Sequence, residues 1–472
     1  MPDLVLIQPP LTAAQRYGEF ADVGNNLPNL GLANLAAYAR EQGISVAIID
    51  APAMGYDVRR TVREVVAMQP KVAGITSVTL SIVAASECAK GIKQAMPHVV
   101  TLVGGAHVTA LPDETMTTYD AFDIGVVGEG ERTLVELWSA LNGDGSIEAI
   151  DGIVLRNGGK IERTAPRELI RDLDVLPMPA WDLLPDLAKT YRPSPQSTFR
   201  LPSTILFTTR GCPFRCSFCD RSVFGQRVRP HSAQRVVEMF RHLHDRYGIV
   251  DFAIHDESFI FNRRRLEAIC EGLLRDDLDV SWVCQGRVDQ PLPLETLRLM
   301  KRAGCRQLQF GIETADQRLL DILQKGTTIE NAVSGLARTK AAGLSTKAFL
   351  MAGVPGETAE SLAALERFTL TAPLDDIMVS YFTPFPGCEL YDEIDKYGKL
   401  VGGYDAMSEY RVVFVPDGLT AEEIETARRR IYRRFYLRPR IVTNYARRTL
   451  AGNAAPFIVR SALSSMKMFF GK

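Results

Sequence analysis

Short apolar runs alternate with longer amphipathic stretches along most of the chain. Leu4-Val5-Leu6-Ile7 is the first run, and it stops at Gln8-Pro9-Pro10, where proline has no N–H to give a sheet ladder. Residues 45–50, 72–77, 99–103 and 123–127 are further runs of the kind that forms strands buried on both faces. Between them, residues 30–39, 59–68, 83–96 and 132–141 carry helical periodicity. This alternation predicts an α/β, doubly wound, Rossmann-like parallel sheet over residues 1–142. Ligands of such sheets bind beyond the carboxyl ends of the strands, where Pro9, Gly104, Gly105, Glu129 and Gly130 fall.

Periodicity fades over residues 143–201. A hairpin is expected at Gly152–Ile161, because Asn157-Gly158 suits a tight turn, and Pro177, Pro179, Pro185, Pro193 and Pro195 mark a linker. The alternation then resumes. Strands are expected at 203–209, 250–255, 280–284, 307–311, 345–351 and 376–381, with helices between them, which predicts a partial (β/α)6 TIM-like barrel over residues 202–400. The strand ends carry Asp256 and Glu257, then Arg287, Glu313, the loop Gly353-Val354-Pro355-Gly356-Glu357, and Pro384-Phe385-Pro386-Gly387. Residues 401–472 read as a helical, basic C-terminal region.

Composition adds bounds. With 46% apolar and 24% charged residues over 472 positions, the chain is that of a soluble globular protein of two or three domains. Eight cysteines are too few for a disulfide scaffold. No basic-then-apolar leader is visible and no run of 18 apolar residues occurs, so a cytoplasmic location is expected. The net charge of −1 conceals an asymmetry, because residues 428–472 hold ten Arg and two Lys with no Asp or Glu. Basic residues among apolar ones suit peripheral membrane contact or docked helices. No nucleic-acid-binding module is recognisable, so no nucleic acid is expected.

Three cysteines, Cys212, Cys216 and Cys219, stand in Arg210-Gly211-Cys212-Pro213-Phe214-Arg215-Cys216-Ser217-Phe218-Cys219. Thiolates so close in sequence suit one soft metal centre, zinc or iron–sulfur. A structural zinc site closes with four ligands, and no partner half-site is present. Three thiolates on a four-iron cluster leave one iron open. Of the other cysteines, Cys88, Cys270 and Cys305 read as core, while Cys284 and Cys388 lie where either packing or hydrogen donation to an intermediate is open.

The C-x3-C-x2-C spacing resembles the radical SAM superfamily. The order Gln8-Pro9-Pro10, Leu30-Gly31-Leu32, Gly104-Gly105-Ala106-His107, Gly128-Glu129-Gly130-Glu131 resembles the cobalamin-binding domain that precedes many radical SAM barrels. The resemblance implies a [4Fe-4S] cluster on the three cysteines, S-adenosyl-L-methionine (SAM) on the open iron, and cobalamin as a further cofactor. Reductive cleavage of SAM would give a 5′-deoxyadenosyl radical, and cobalamin would pass a methyl group to an unactivated carbon. The resemblance also implies that Asp256 or Glu257 meets the SAM amine, that Glu313, Gly353 and Pro355 lie near SAM, and that Phe218 lies beside adenine. Arg287 suits the SAM carboxylate. Ser77 and Thr79 are candidates for the cobalamin tail. The D-x-H-x-x-G motif that ligates cobalt in many cobalamin proteins is missing, and His107 is a candidate substitute.

The expected partners are a small-molecule substrate, such as a lipid or natural product, and an external electron donor such as flavodoxin or ferredoxin. Two alternatives stay open: a cyclase, oxidase or dehydratase with a vestigial cobalamin domain, and an iron–sulfur electron-transfer or sensor protein.

Overall fold

The computed structural model describes residues 1–22 and 24–451, the last two by backbone alone. The N-terminal sheet contains β1 (Leu4–Gln8), β2 (Val46–Asp50), β3 (Val72–Thr76), β4 (Val100–Gly104) and β5 (Ile124–Val126), followed by β6 (Ile153–Asn157) and β7 (Lys160–Arg163). Their order is β2-β1-β3-β4-β5-β6-β7. The first five are parallel, as the alternating pattern predicts. The hairpin β6–β7 was expected inside the linker. It instead extends this sheet, with Ile124 opposite Leu155 in antiparallel pairing, which buries Ile153, Val154 and Leu155 and covers the edge of β5. The sheet is buried on both faces, one core holding Val5, Ile75 and Val103 and the other Leu4, Leu6 and Leu102.

The second sheet contains β8 (Ser203–Leu206), β11 (Asp251–Ile254), β12 (Ser281–Gly286), β13 (Cys305–Glu313), β14 (Ser345–Ala352) and β15 (Asp376–Tyr381). All six are parallel, in the order β15-β14-β13-β12-β11-β8. A two-stranded ribbon, β9 (Thr209–Arg210) with β10 (Arg229–Pro230), sits between the first two. Side-chain caps start the barrel helices: Ser232, Asn262, Thr328 and Thr358 each accept a backbone N–H from the first turn.

The edge strand β15 is covered by the helix Ala421–Tyr436. Tyr432 Oη accepts from Val379 N at 2.8 Å and Arg428 Nε donates to Val379 O at 2.8 Å, so the edge's spare backbone groups are used. Arg428 is fully buried among Phe20, Tyr381 and Tyr432. Arg430 and Arg434 pair with Glu366, and Arg448 reaches Thr198 O at 3.0 Å. Much of the basic C-terminal region up to 451 is therefore spent on internal acceptors rather than offered to an anionic surface. The remainder of that basic stretch lies outside the described residues. No helix among the described residues is long and apolar enough to cross a membrane.

The carboxyl ends of the two sheets face one another. Gly387, past β15, lies so close to the N-terminal domain that a Cβ there would sit 3.0 Å from Ala110 Cβ and 2.6 Å from Asp220 Oδ1.

Candidate active site

The cysteine loop is held by backbone from three directions. Arg210 pairs with Arg229 in the ribbon, and Gly211 takes φ +86°, where a Cβ would collide with Arg227 O at 2.4 Å. Ser217 N donates to Leu323 O at 3.0 Å, and Leu390 N donates to Ser217 O at 2.9 Å. These bonds leave Cys212 half-buried, Cys216 5% exposed and Cys219 exposed, all as free thiols. They lie within electrostatic reach of one another. Burial, reinforced by the charge of Cys216, pushes the Cys219 thiol up to about 12. Cys219 is open to solvent at the mouth of the barrel, within electrostatic reach of Lys325 and Glu313.

Cations gather at Cys216. Arg287 Nη1 lies 3.6 Å from Cys216 Sγ, and its guanidinium stacks 3.8 Å from the Phe214 ring centroid. Lys325 Nζ lies 2.6 Å from Glu313 Oε1 and 5.6 Å from the Phe218 ring. Burial lowers the Lys325 pKa, and the charges of Glu313 and Cys216 more than offset it, leaving Lys325 above its ordinary range. Lys325 escapes a reading of the sequence, because a lone lysine in Leu-Gln-Lys-Gly-Thr has no periodic signature. The available signal was a lysine in the turn after the short helix Gln317–Ile322 that follows the Glu313 strand.

The carboxylates differ in what they leave free. Asp256 is fully buried, accepting from Thr208 N, Thr208 Oγ1 and Thr209 N, and so holds the chain entering the cysteine loop. Its neighbour Glu257 is exposed at the mouth, with a pKa raised by the surrounding protein and then by Asp256. Glu313 sits at φ +69°, beside a register shift between β13 and β14, a strained backbone of the kind that concentrates at functional sites. Gly353 faces Ile424 of the C-terminal helix, and Pro355 is buried. Glu357 folds back onto Gly353 N and Val354 N, and burial pushes its carboxyl up to about 8.

On the N-terminal side, Ser77, Thr79, Gly104, Gly105 and His107 come together. Ser77 N donates to Gly104 O at 2.7 Å, and Thr79 Oγ1 lies 3.3 Å from His107 Nδ1. Gly105 takes φ +104°, and a Cβ there would lie 2.5 Å from Ser77 O. Burial pushes the His107 pKa down to about 4. At the end of β1, Pro9 is buried and Gln8 Oε1 is buried with no partner among the described residues. A backbone cradle that only glycine allows, with an orphaned amide oxygen nearby, fits a large amide-bearing ligand such as cobalamin. Glu129 does not join this group. It accepts from Arg210 Nη1 at 2.7 Å, Arg229 Nη1 at 2.9 Å and Ile170 N at 2.8 Å, all outside the N-terminal parallel strands. Gly130 packs against Leu35.

Cys284 and Cys388 are both buried. Cys284 is fully buried beside Cys305 and Cys270, and Cys388 packs with Leu319, Val354 and Phe382. Among the described residues, no group of three or more His, Cys, Asp or Glu is gathered as tightly as a single metal ion requires. A four-iron cluster takes each thiolate on a different iron, so its ligands stand wider apart. Three thiols around a mouth with Arg287 and Lys325 beside them fit an anionic cluster of that kind.

Comparison with known proteins gives two family matches: the radical SAM superfamily over residues 206–369 and the B12 binding domain over residues 20–138. An uncharacterized methyltransferase from Pyrococcus horikoshii is 33% identical over 441 residues, 93% of each chain. An anaerobic magnesium-protoporphyrin IX monomethyl ester cyclase from Rubrivivax gelatinosus is 28% identical over 425 residues, covering 88% of this chain and 75% of that one. Among solved structures, the cobalamin-dependent SAM radical enzyme OxsB, with aqua-cobalamin and SAM bound, superposes with a TM-score of 0.75 at 17% identity, covering 92% of this chain and 67% of that one. The radical SAM methyltransferase TsrM from Kitasatospora setae, with cobalamin and a [4Fe-4S] cluster bound, gives 0.70 at 18% identity, covering 92% and 89%.

Proposed function

We propose, for a chain that belongs to the radical SAM superfamily and carries a B12 binding domain, that it is a cobalamin-dependent methyltransferase acting on an unactivated carbon of a small molecule. The observation that carries this reading is the meeting of the two sheets' carboxyl ends, with Glu129 bound to the arginines that flank the cysteine loop. In this reading the glycine cradle of one domain serves the same reaction space as the thiols of the other across that junction.

A [4Fe-4S] cluster would supply the electron that breaks a carbon–sulfur bond of SAM, and cobalamin would supply a methyl carrier. In this reading Cys212, Cys216 and Cys219 hold the cluster. Arg287 and Lys325 set positive charge beside Cys216, where they balance the anionic site and receive the SAM carboxylate. Glu257, an exposed residue past the end of β11, takes the SAM amine, while Asp256 fixes the strand end beneath it. Phe218 offers a ring face for adenine. Ser77, Thr79, Gly104 and Gly105 hold the cobalamin tail, and Glu129 acts as a positioning residue rather than a cofactor contact. Gly353 and Pro355 shape the mouth from behind. The reading requires an external one-electron donor and a small-molecule substrate.

The test is to express the protein with cobalamin, reconstitute it with iron and sulfide, and add SAM and dithionite. Bound corrin, S-adenosylhomocysteine and 5′-deoxyadenosine are expected. A second reading, radical chemistry without methyl transfer, is supported by the 28% identity to the ester cyclase. It predicts 5′-deoxyadenosine without S-adenosylhomocysteine.

A further inference from the structure

One belt of side chains inside the barrel is unlike the usual filling. Barrel interiors are ordinarily packed with branched aliphatic residues. Here Gln285 lies opposite Gln309, Gln309 opposite Lys347, and Lys347 opposite Asp376, so four polar residues stand level on four adjacent strands. Side chains alternate across a strand, and the intervening Leu308, Ala348 and Ile377 all belong to the core under the helices. The belt therefore points inward. On β11's side it continues with His255, whose ring meets Phe207 edge-on at 6.2 Å.

Lys347 is the member without an adequate partner. It is 2% exposed, and a buried ammonium costs stability unless it is paired. Its Nζ reaches Ser197 Oγ at 3.4 Å and lies 5.0 Å from the Phe349 ring. The nearest carboxylate in register, Asp376, is already engaged by the hydroxyls of Tyr436 and Tyr445, and Arg448 stands 3.8 Å away. Burial pushes Lys347 down to about 8, against the opposing charge of Asp376. Ser197 Oγ accepts from both Gln309 and Lys347, so its own proton remains to be donated. Beside this polar floor is an apolar wall. Phe207, at the rim of the barrel next to the cysteine loop, is 43% exposed and has a ring face to offer.

We propose that the barrel interior is the substrate pocket and that it takes a carboxylate-bearing molecule anion-first, with the carboxylate on Lys347 and Ser197 and the apolar body against Phe207. The carbon that reacts then lies at the rim, beneath the cysteine loop. This rests on the reading of that loop as the reactive centre. It adds the class of substrate: an amphipathic acid whose far end carries the charge.

The test uses the full chain and a series of straight-chain and aryl-substituted carboxylic acids, each against its own primary amide, with thermal shift and calorimetric binding as readouts. At least one acid is expected to protect the protein while its amide does not, and Lys347→Met is expected to weaken that acid at least tenfold. Lys347→Met also takes an opposing charge from buried Asp376, so Ser197→Ala, which keeps both charges, is measured beside it and is expected to weaken the same acid. Protection by no acid, equal protection by acid and amide, or undiminished binding of the acid by both variants would each overturn the proposal. Wild-type SAM cleavage on the same preparation, without added acid, separately tests the reading of the cysteine loop.

Discussion

Arg229 donates through Nη1 to both carboxylate oxygens of Glu129, each at 2.9 Å, across the junction between the barrel and the N-terminal sheet. Both side chains are almost wholly buried, and Arg229 lies opposite Arg210, two residues before Cys212. One carboxylate thus ties the N-terminal domain to the frame of the cysteine loop. Removing one partner of a buried pair leaves an uncompensated charge and costs about 3–5 kcal/mol. Glu129→Gln is expected to lower stability by that order and to make the segment between the domains susceptible to limited proteolysis. Unchanged melting and cleavage patterns would contradict the role.

Lys325 is expected to matter for SAM binding. Lys325→Met leaves Glu313 buried without its ion pair and removes a cation beside Cys216. The Kd for SAM, measured by equilibrium dialysis on reconstituted protein, should rise about 10- to 100-fold, corresponding to about 1.4 kcal/mol per decade. A Kd within twofold of wild type would remove Lys325 from the SAM site.

Gly105→Ala places a Cβ 2.5 Å from Ser77 O at a residue with φ +104°. The loop after β4 cannot keep its path with that atom present. Co-purifying cobalamin, followed by its corrin absorbance, should be lost while iron and sulfide content stay unchanged. Retention of full cobalamin would contradict the cradle.

Glu357 supplies a pH signature. Burial raises its folded-state pKa from 4.5 to about 8, so between those values the unfolded chain ionises this group while the folded chain keeps it protonated. Its contribution to stability is complete below pH 4.5 and is lost as pH rises through 8. The Tm of the wild type relative to Glu357→Gln should therefore decline by several degrees from about pH 5 to pH 8. A flat difference would show that Glu357 is ionised in the folded protein.

The parts legible in the sequence are those whose signals are local. The cysteine loop declares itself through close spacing, and the barrel strands through short apolar runs between amphipathic helices. Features that depend on distant partners were not legible. Glu129 stands in a glycine-rich loop that suits a cofactor, and its partners Arg210 and Arg229 come from the other domain. The hairpin β6–β7 looked like linker because its pairing with β5 crosses a helix and a turn. For Cys284 packing or a role at the site was open, and strand alternation puts it on the face opposite Gln285, in the core beside Cys305. The basic C-terminal region suited peripheral membrane contact or docked helices alike, and only the fold shows its described arginines on Glu366 and the carbonyls of Thr198 and Val379. The belt from Gln285 to Asp376 is spread over four strands, so only the register of the sheet reveals it.

The most direct test of the central claim is the release of 5′-deoxyadenosine from SAM by iron- and sulfide-reconstituted protein under dithionite, with Cys216→Ala in parallel. The wild type is expected to release it and the variant to release none, with loss of the cluster's visible absorbance. Cluster-loaded wild type that leaves SAM intact, or a Cys216→Ala variant that cleaves it as fast as the wild type, would contradict the account.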